Sequence, residues 1–227
     1  MTPNEKNAFR CSGTTDAAGS EAESLVDEFR ALLANVGSPG VMTVTLDPLT
    51  SALVDSPASL ARFLDGYLTR LLLPCEWPAI VASCEHARRG QGRELVERDN
   101  RLAGELAGTP FLEPSRQMGR LHLARLRPLR DDRQVQRYLA AVDSGKAHGW
   151  HTMVFGLTLA VYSLPIRQAL LYYAQETLRA LAEAARRGTR ITASEVESIL
   201  TPLFERLPDA LEIVLVDQAR NELLSAV

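Results

Sequence analysis

The 227-residue sequence predicts an all-α fold, a single-domain helical bundle of about ten helices. Apolar residues recur with the helical period through much of the chain, and Ser, Thr and Pro stand where helices would begin. Only two short β-branched runs, residues 41–46 and 212–216, are candidates for strands. Two such strands do not make a stable sheet, so the core is expected to consist of helices.

The N-terminal part is expected to supply a tail and one helix. Residues 1–20 are small and polar, which predicts a flexible tail, and they lack the charged-then-apolar order of a secretory signal. Ser20 and Glu23 have capping-box spacing, so a helix is expected to begin there and to end at the Gly-Ser-Pro-Gly turn of residues 37–40. We therefore expect the all-helical domain to span residues 21–227.

The strongest helical signal follows Ser56 and Pro57, an N-cap and a first-turn proline. Behind them, seven apolar residues form one stripe at helical spacing: Leu60, Phe63, Leu64, Tyr67, Leu68, Leu71 and Leu72. Pro74 and Pro78 are expected to separate this helix from the next, which should close near Gly90.

Helices also account for the remainder of the chain. Four are predicted in its middle, over residues 93–106, 115–126, 134–142 and 148–163, and Asp131 or Asp132 can cap the third. Pro165 then fits the first turn of a long amphipathic helix that ends at Gly188. A capping box at Thr192 or Ser194 starts another helix, and Pro208 is expected to separate it from the last one.

Composition excludes several classes of protein. A net charge of −3 does not suit a chain that wraps nucleic acid. The longest apolar run, residues 153–166, is shorter than the roughly 18–20 residues of a membrane span. An odd number of cysteines at uninformative spacings favours a reducing, cytoplasmic location over a disulfide framework: Cys11, Cys75 and Cys84.

The charges are unevenly distributed. Lys6 and Lys146 are the only lysines among 25 basic residues, which suggests either an arginine surface for carboxylates and phosphates or a compositional bias of the genome. Residues 86–137 hold 12 Arg and seven acids, a net +5, whereas residues 195–222 hold two Arg and seven acids, a net −5. This asymmetry indicates pairing with another protein or a second copy, or two facing patches within one fold.

Two groups of residues are candidate metal ligands. Cys84 and His86 follow Cys75 closely, but the second ligand pair of a zinc site is absent. His148 and His151 are spaced i, i+3, although two histidines rarely hold a metal alone. No nucleophile motif or phosphate-binding glycine loop occurs, so we predict neither an enzyme nor a resident cofactor. A helical metal-binding enzyme that uses the two histidines is the alternative.

Two glycines lie inside predicted helices, Gly119 and Gly156. A glycine inside a helix costs about 1 kcal/mol relative to alanine. Their presence therefore predicts either a close approach between helices at these positions or a local break.

The segments that contain these glycines resemble the UreF family of urease accessory proteins. The resemblance rests on 115-SRQMGRLHLARL-126, followed at a fitting distance by 151-HTMVFGLTLAVYSLPIRQALLYYAQE-176. It implies a non-catalytic homodimer that binds a UreH/UreD-type partner, the nickel-carrying GTPase and urease apoprotein, with nickel handled only in transit. By this resemblance, eight residues are expected to serve partner or dimer packing: Arg116, Gln117, Met118, Gly119, His151, Phe155, Gly156 and Tyr173.

The sequence departs from the family pattern in three places. Residues 45–49 replace a serine-glycine-leucine-glutamate stretch, residues 184–192 lack the family's proline and glutamine, and the C-terminus has neither a histidine-glutamate pair nor an R-L-F ending. These departures characterise a divergent member. They also support an alternative in which a UreF-like interaction module serves a client other than urease.

Overall fold

The computed structural model describes residues 54–225 of the chain. Its helices are α1 (Pro57–Tyr67), a π-helical segment (Leu68–Glu76), α2 (Trp77–Arg88), α3 (Gly92–Glu105), α4 (Leu112–Leu126), α5 (Arg133–Asp143), α6 (His151–Val161), α7 (Ile166–Arg187) and α8 (Ala193–Ser225). No strand occurs within residues 54–225, and the all-α prediction is confirmed. No helix in that range combines the length and apolar content needed to cross a bilayer.

The predicted count of about ten helices differs from the observed set for two reasons. The first predicted helix, which was expected to follow Ser20, lies outside the described residues, as do the predicted tail of residues 1–20 and the β-branched run 41–46. The last two predicted helices form one continuous helix, α8.

The helix starts predicted from capping residues are confirmed at several places. Ser56 and Ser59 form a capping box at the start of α1, with Pro57 in the first turn. The side chain of Asp132 accepts hydrogen bonds from the second and third residues of α5 at 2.9 and 3.0 Å. Pro165 is the N-cap of α7, and Gly188 is its C-cap.

The predicted break at Pro74 is wrong, because the helix continues through this residue in π-helical form. The backbone N–H of Trp77 donates to the carbonyl of Leu72, five residues back. A proline inside an α-helix removes one hydrogen bond and clashes with the preceding turn. The wider π-helical turn accommodates Pro74, so α1, the π-helical segment and α2 follow one another without a loop.

The predicted break at Pro208 is also wrong, and the strand candidate 212–216 is helical. α8 runs continuously through Pro202 and Pro208, and both prolines are exposed. Solvent can therefore satisfy the backbone carbonyls that lose their intrahelical donors. Over residues 193–220, the buried stripe of α8 consists of Val196, Leu200, Leu203, Leu207 and Leu211.

α6 is the central helix of the bundle. Nine of its 11 residues are buried, which few helices outside a core can accommodate. It packs against α2 on one side and α4 on another, while α7 packs against α1 and α8. This arrangement brings the two segments that resemble the UreF family into direct contact.

Candidate functional site

Gly119 allows α4 to lie directly against the start of α6. A Cβ atom at this position would overlap the carbonyl oxygen of Gly149 and would lie 2.6 Å from both the amide nitrogen of His151 and the carbonyl carbon of Trp150. All three atoms belong to the backbone, which cannot move aside as a flexible side chain can. The expectation of a close approach at Gly119 is therefore confirmed.

Gly156 plays the same part between α6 and α2. A Cβ atom here would lie 2.5 Å from the carbonyl oxygen of Ile80 and 2.7 Å from the Cβ of Ser83. The buried hydroxyl of Ser83 donates to the carbonyl of Met153 at 2.6 Å, which joins the same two helices by a hydrogen bond. Small residues on both helices thus permit backbone-to-backbone packing.

Asp99 of α3 fixes the loop that precedes α6. Its buried carboxylate accepts hydrogen bonds from the amides of His148 and Gly149, at 2.6 and 3.0 Å, and from the Tyr138 hydroxyl at 2.5 Å. The indole N–H of Trp150 donates to the backbone carbonyl of Asp99 at 2.9 Å. These four bonds fix the backbone of residues 148–150, the loop that packs against Gly119.

Sequence reasoning missed Asp99, which lies in a segment expected to be a polar helix. A signal was nevertheless present. Asp99 falls between Leu95 and Leu102 at spacings of four and three residues, which places the carboxylate on the buried stripe of α3. A charged residue on a buried stripe requires partners inside the fold.

A chain of buried polar side chains runs beside the Gly119 contact. The Tyr67 hydroxyl donates to Glu76 Oε2 at 2.8 Å, and Tyr173 faces the same carboxyl group. The Tyr173 hydroxyl lies 3.4 Å from His151 Nδ1, and the rings of His151 and His122 are 5.0 Å apart between centroids. Five titratable residues from α1, the π-helical segment, α4, α6 and α7 thus meet in the interior.

The π-helical segment explains how Tyr67 and Glu76 come together. Residues nine apart lie on opposite faces of an α-helix, because nine residues make two and a half turns. A π-helix takes more residues per turn, and residues with this spacing come round to one face. The π-helical geometry therefore places Glu76 inside the protein, where it is 4% exposed.

Burial keeps this polar chain close to neutral. It raises the pKa of Glu76 to about 7, although hydrogen bonding from Tyr67 and Tyr173 opposes the shift. It lowers the pKa of His122 to about 4, with a further contribution from Arg125, and lowers the pKa of His151 well below its usual value. Both histidines are therefore neutral at physiological pH, and neither Nε2 atom has a hydrogen-bond partner within residues 54–225.

The eight residues expected to serve partner or dimer packing separate into two groups. Arg116 and Gln117 lie on the outer side of α4, where Arg116 pairs with Glu113 at 2.8 Å. The other six are buried inside the protomer: Met118, Gly119, His151, Phe155, Gly156 and Tyr173. The buried six can act on a partner only by shaping the surface, and a role in partner or dimer packing stays a prediction for all eight.

The candidate metal ligands are not assembled into a site. Cys75 and Cys84 are free thiols, and burial raises the pKa of Cys84 to about 11, which disfavours the thiolate form that binds metals. His148 stacks on Trp150 outside α6, whereas His151 joins the buried polar chain. No group of three or more His, Cys, Asp or Glu side chains within the described residues could hold a metal ion.

The family model of UreF matches residues 54–203, more than half of the chain. The chain belongs to the UreF family. UreF proteins are urease accessory proteins with a role in nickel insertion, and the family is not a catalytic one. No match is found among curated proteins. The matched range includes both glycine contacts and the whole buried polar chain, and it ends within α8 at Leu203.

Proposed function

We propose that this chain is a non-catalytic scaffold for urease maturation in the cytoplasm. In this role it forms a homodimer and binds a UreH/UreD-type accessory protein, the nickel-carrying GTPase and urease apoprotein, and nickel is cargo without a resident site. The observation that carries the proposal is the family match across the segments joined at Gly119 and Gly156.

The interior supports a scaffold over an enzyme. All five titratable residues of the buried polar chain are at most 4% exposed, so a substrate from solvent does not reach them. Burial also keeps His151 neutral, as its lowered pKa indicates. Helices held at backbone contact distance give a rigid surface of fixed shape, which reduces the entropic cost of binding a protein partner.

The test is co-purification with the UreH/UreD-type partner and the GTPase, with and without guanine nucleotide. Arg116→Ala removes an outward side chain from the family-like segment, and its matched control is Arg93→Ala, because both arginines pair with an acid of their own helix. We expect Arg116→Ala to weaken the complex about tenfold, as loss of a charged interface contact does, while Arg93→Ala leaves it unchanged. Absence of any complex with the wild-type chain would contradict the proposal.

A second function is favoured by the departures from the family pattern at residues 45–49 and 184–192. Those departures suit a UreF-like interaction module whose client is not urease. A strain that lacks the gene distinguishes the two functions. Loss of urease activity supports the maturation scaffold, and full urease activity supports another client.

A further inference from the structure

A groove opens between α4 and α5 on the arginine-rich side of the protein. It has a volume of about 320 Å³ and is open to solvent along one side, so it has room for one or two side chains. Its exposed lining is more polar than apolar: Arg120, Arg127 and Asp143 contribute charge, and the nearly buried Leu123, Leu139 and Val142 contribute a small apolar floor. Leu121, which is 49% exposed, lies one helical turn from the groove residue Ala124 and extends the apolar surface.

The rim of this groove can rearrange to accept an acidic partner. Arg127 makes a two-pronged contact with Asp143 at 2.9 and 3.1 Å, and both side chains are more than half exposed. Such a surface pair contributes little to stability and can exchange its acid for another. Arg120 uses Nε to donate to the carbonyl of His148 at 3.3 Å, and its side chain is part of the groove lining.

The end of α8 has the complementary character. Between residues 193 and 220 of α8, Leu211 is the last buried residue, and no residue from 212 to 220 is buried. Ile213 and Val216 are each 64% exposed and stand one turn apart, so they form an apolar ridge. Asp209 and Asp217 flank this ridge on α8, whereas Glu212 pairs with Arg167 of the same protomer.

The two surfaces belong to different sides of one protomer. α8 packs against α1, the π-helical segment, α2 and α7, whereas the groove lies between α4 and α5. We propose that the end of α8 from one copy of this chain fills the α4–α5 groove of a second copy. The apolar ridge would cover the groove floor, and its acids would meet Arg120 and Arg127.

The contact would occur twice in a symmetric dimer, once in each direction. This inference rests on the proposed homodimer and specifies the surface through which it forms. The net charges of +5 for residues 86–137 and −5 for residues 195–222 support it, because the groove and the end of α8 lie on different sides of one protomer and their opposite charges attract between copies.

The test is a charge exchange between copies, followed by light scattering after gel filtration. One variant reverses the groove, R120E/R127E, and the other reverses the helix, D209R/D217R. Each variant alone brings like charges together, so its dimer dissociation constant is expected to rise at least tenfold. An equal mixture of the two restores attraction at both contacts and is expected to dimerise like the wild type. Arg101→Glu, an exposed reversal on α3 away from the groove, is the matched control and is expected to change nothing.

Other results would overturn this assignment. A wild-type chain that stays monomeric at all concentrations has no second copy in the groove. If neither variant changes the dimer dissociation constant, the dimer contact lies elsewhere. Loss of GTPase or UreH/UreD-type binding in the groove variant, with an intact dimer, assigns the groove to that partner. Failure of the proposed scaffold function is distinct from all three, because it appears as absence of any complex with the accessory proteins whatever the oligomeric state.

Discussion

Gly156 of α6 and Gly66 of α1 occupy the same kind of position, the interior of a helix, and have opposite surroundings. A Cβ atom at Gly156 would lie 2.5 Å from a backbone oxygen of α2, whereas a Cβ atom at Gly66 would have no atom within 4 Å. At Gly66 the glycine destabilises the helix through its loss of conformational entropy, and no close packing offsets this. At Gly156 that cost permits contact between two helix backbones. The atoms that face a glycine within a helix therefore decide whether it is needed for packing.

The largest expected effect comes from adding a side chain at the contact between α4 and α6. In Gly119→Ala the three atoms nearest to the new methyl group are backbone atoms of Gly149, Trp150 and His151, so the start of α6 must shift. Because overpacking costs about 1–3 kcal/mol and more where the backbone is displaced, we expect a loss of about 4 kcal/mol in the free energy of unfolding. Urea unfolding followed by circular dichroism measures it. Wild-type stability in this variant would show that the two elements do not approach as described.

The next effect comes from releasing the loop that rests on Gly119. Asp99→Ala leaves two backbone amides and the Tyr138 hydroxyl without their acceptor, and each buried unpaired group costs about 1–3 kcal/mol. We expect a total loss of about 3 kcal/mol, since some of these groups will find water. Asp132→Ala, which removes a helix cap, is the control and should cost about 1 kcal/mol. Equal losses of stability in the two variants would contradict a special role for Asp99 in fixing the loop.

The buried carboxyl of Glu76 makes stability depend on pH. Its folded-state pKa of about 7 lies above the value of 4.5 expected when the chain unfolds, so folding favours the protonated form. The resulting stabilisation is fully present below pH 4.5 and is lost as the pH rises through 7, a change of about 3 kcal/mol at 1.36 kcal/mol per pKa unit. Glu76→Gln should flatten this part of the profile, and Glu97→Gln on the surface should leave it unchanged. An identical profile in the wild type and Glu76→Gln would exclude Glu76 as its source.

The smallest effect has the opposite sign. Gly66→Ala adds a methyl group in open space within a helix, so the free energy of unfolding is expected to rise by up to about 1 kcal/mol. Thermal unfolding detects this as a higher midpoint temperature. A clear destabilisation would mean that the surroundings of Gly66 are closed.

Local signals predicted much of the fold. The stripe that begins at Leu60, the cap at Asp132 and the limits of α7 at Pro165 and Gly188 each depend on neighbouring residues alone. The close approach at Gly119 was also predictable, although the element that it contacts was not.

The errors arose where the usual local rules do not decide the outcome. Pro74 and Pro208 are helix breakers by local rules, but a π-helical turn accommodates the first and solvent exposure the second. The polar chain depends on pairing Glu76 with Tyr173, nearly 100 residues away in the sequence. Helical periodicity identifies which face is buried, but it does not identify the partner across the core.

The most direct test of the central claim, that helices meet at backbone distance because glycine permits it, is to measure Gly156→Ala beside Gly66→Ala under one set of conditions. We expect changes of opposite sign in the free energy of unfolding: a loss of about 2 kcal/mol or more for Gly156→Ala, as overpacking produces, and a small gain for Gly66→Ala. A gain in both variants would contradict it, since α2 and α6 would then have room for a side chain between them.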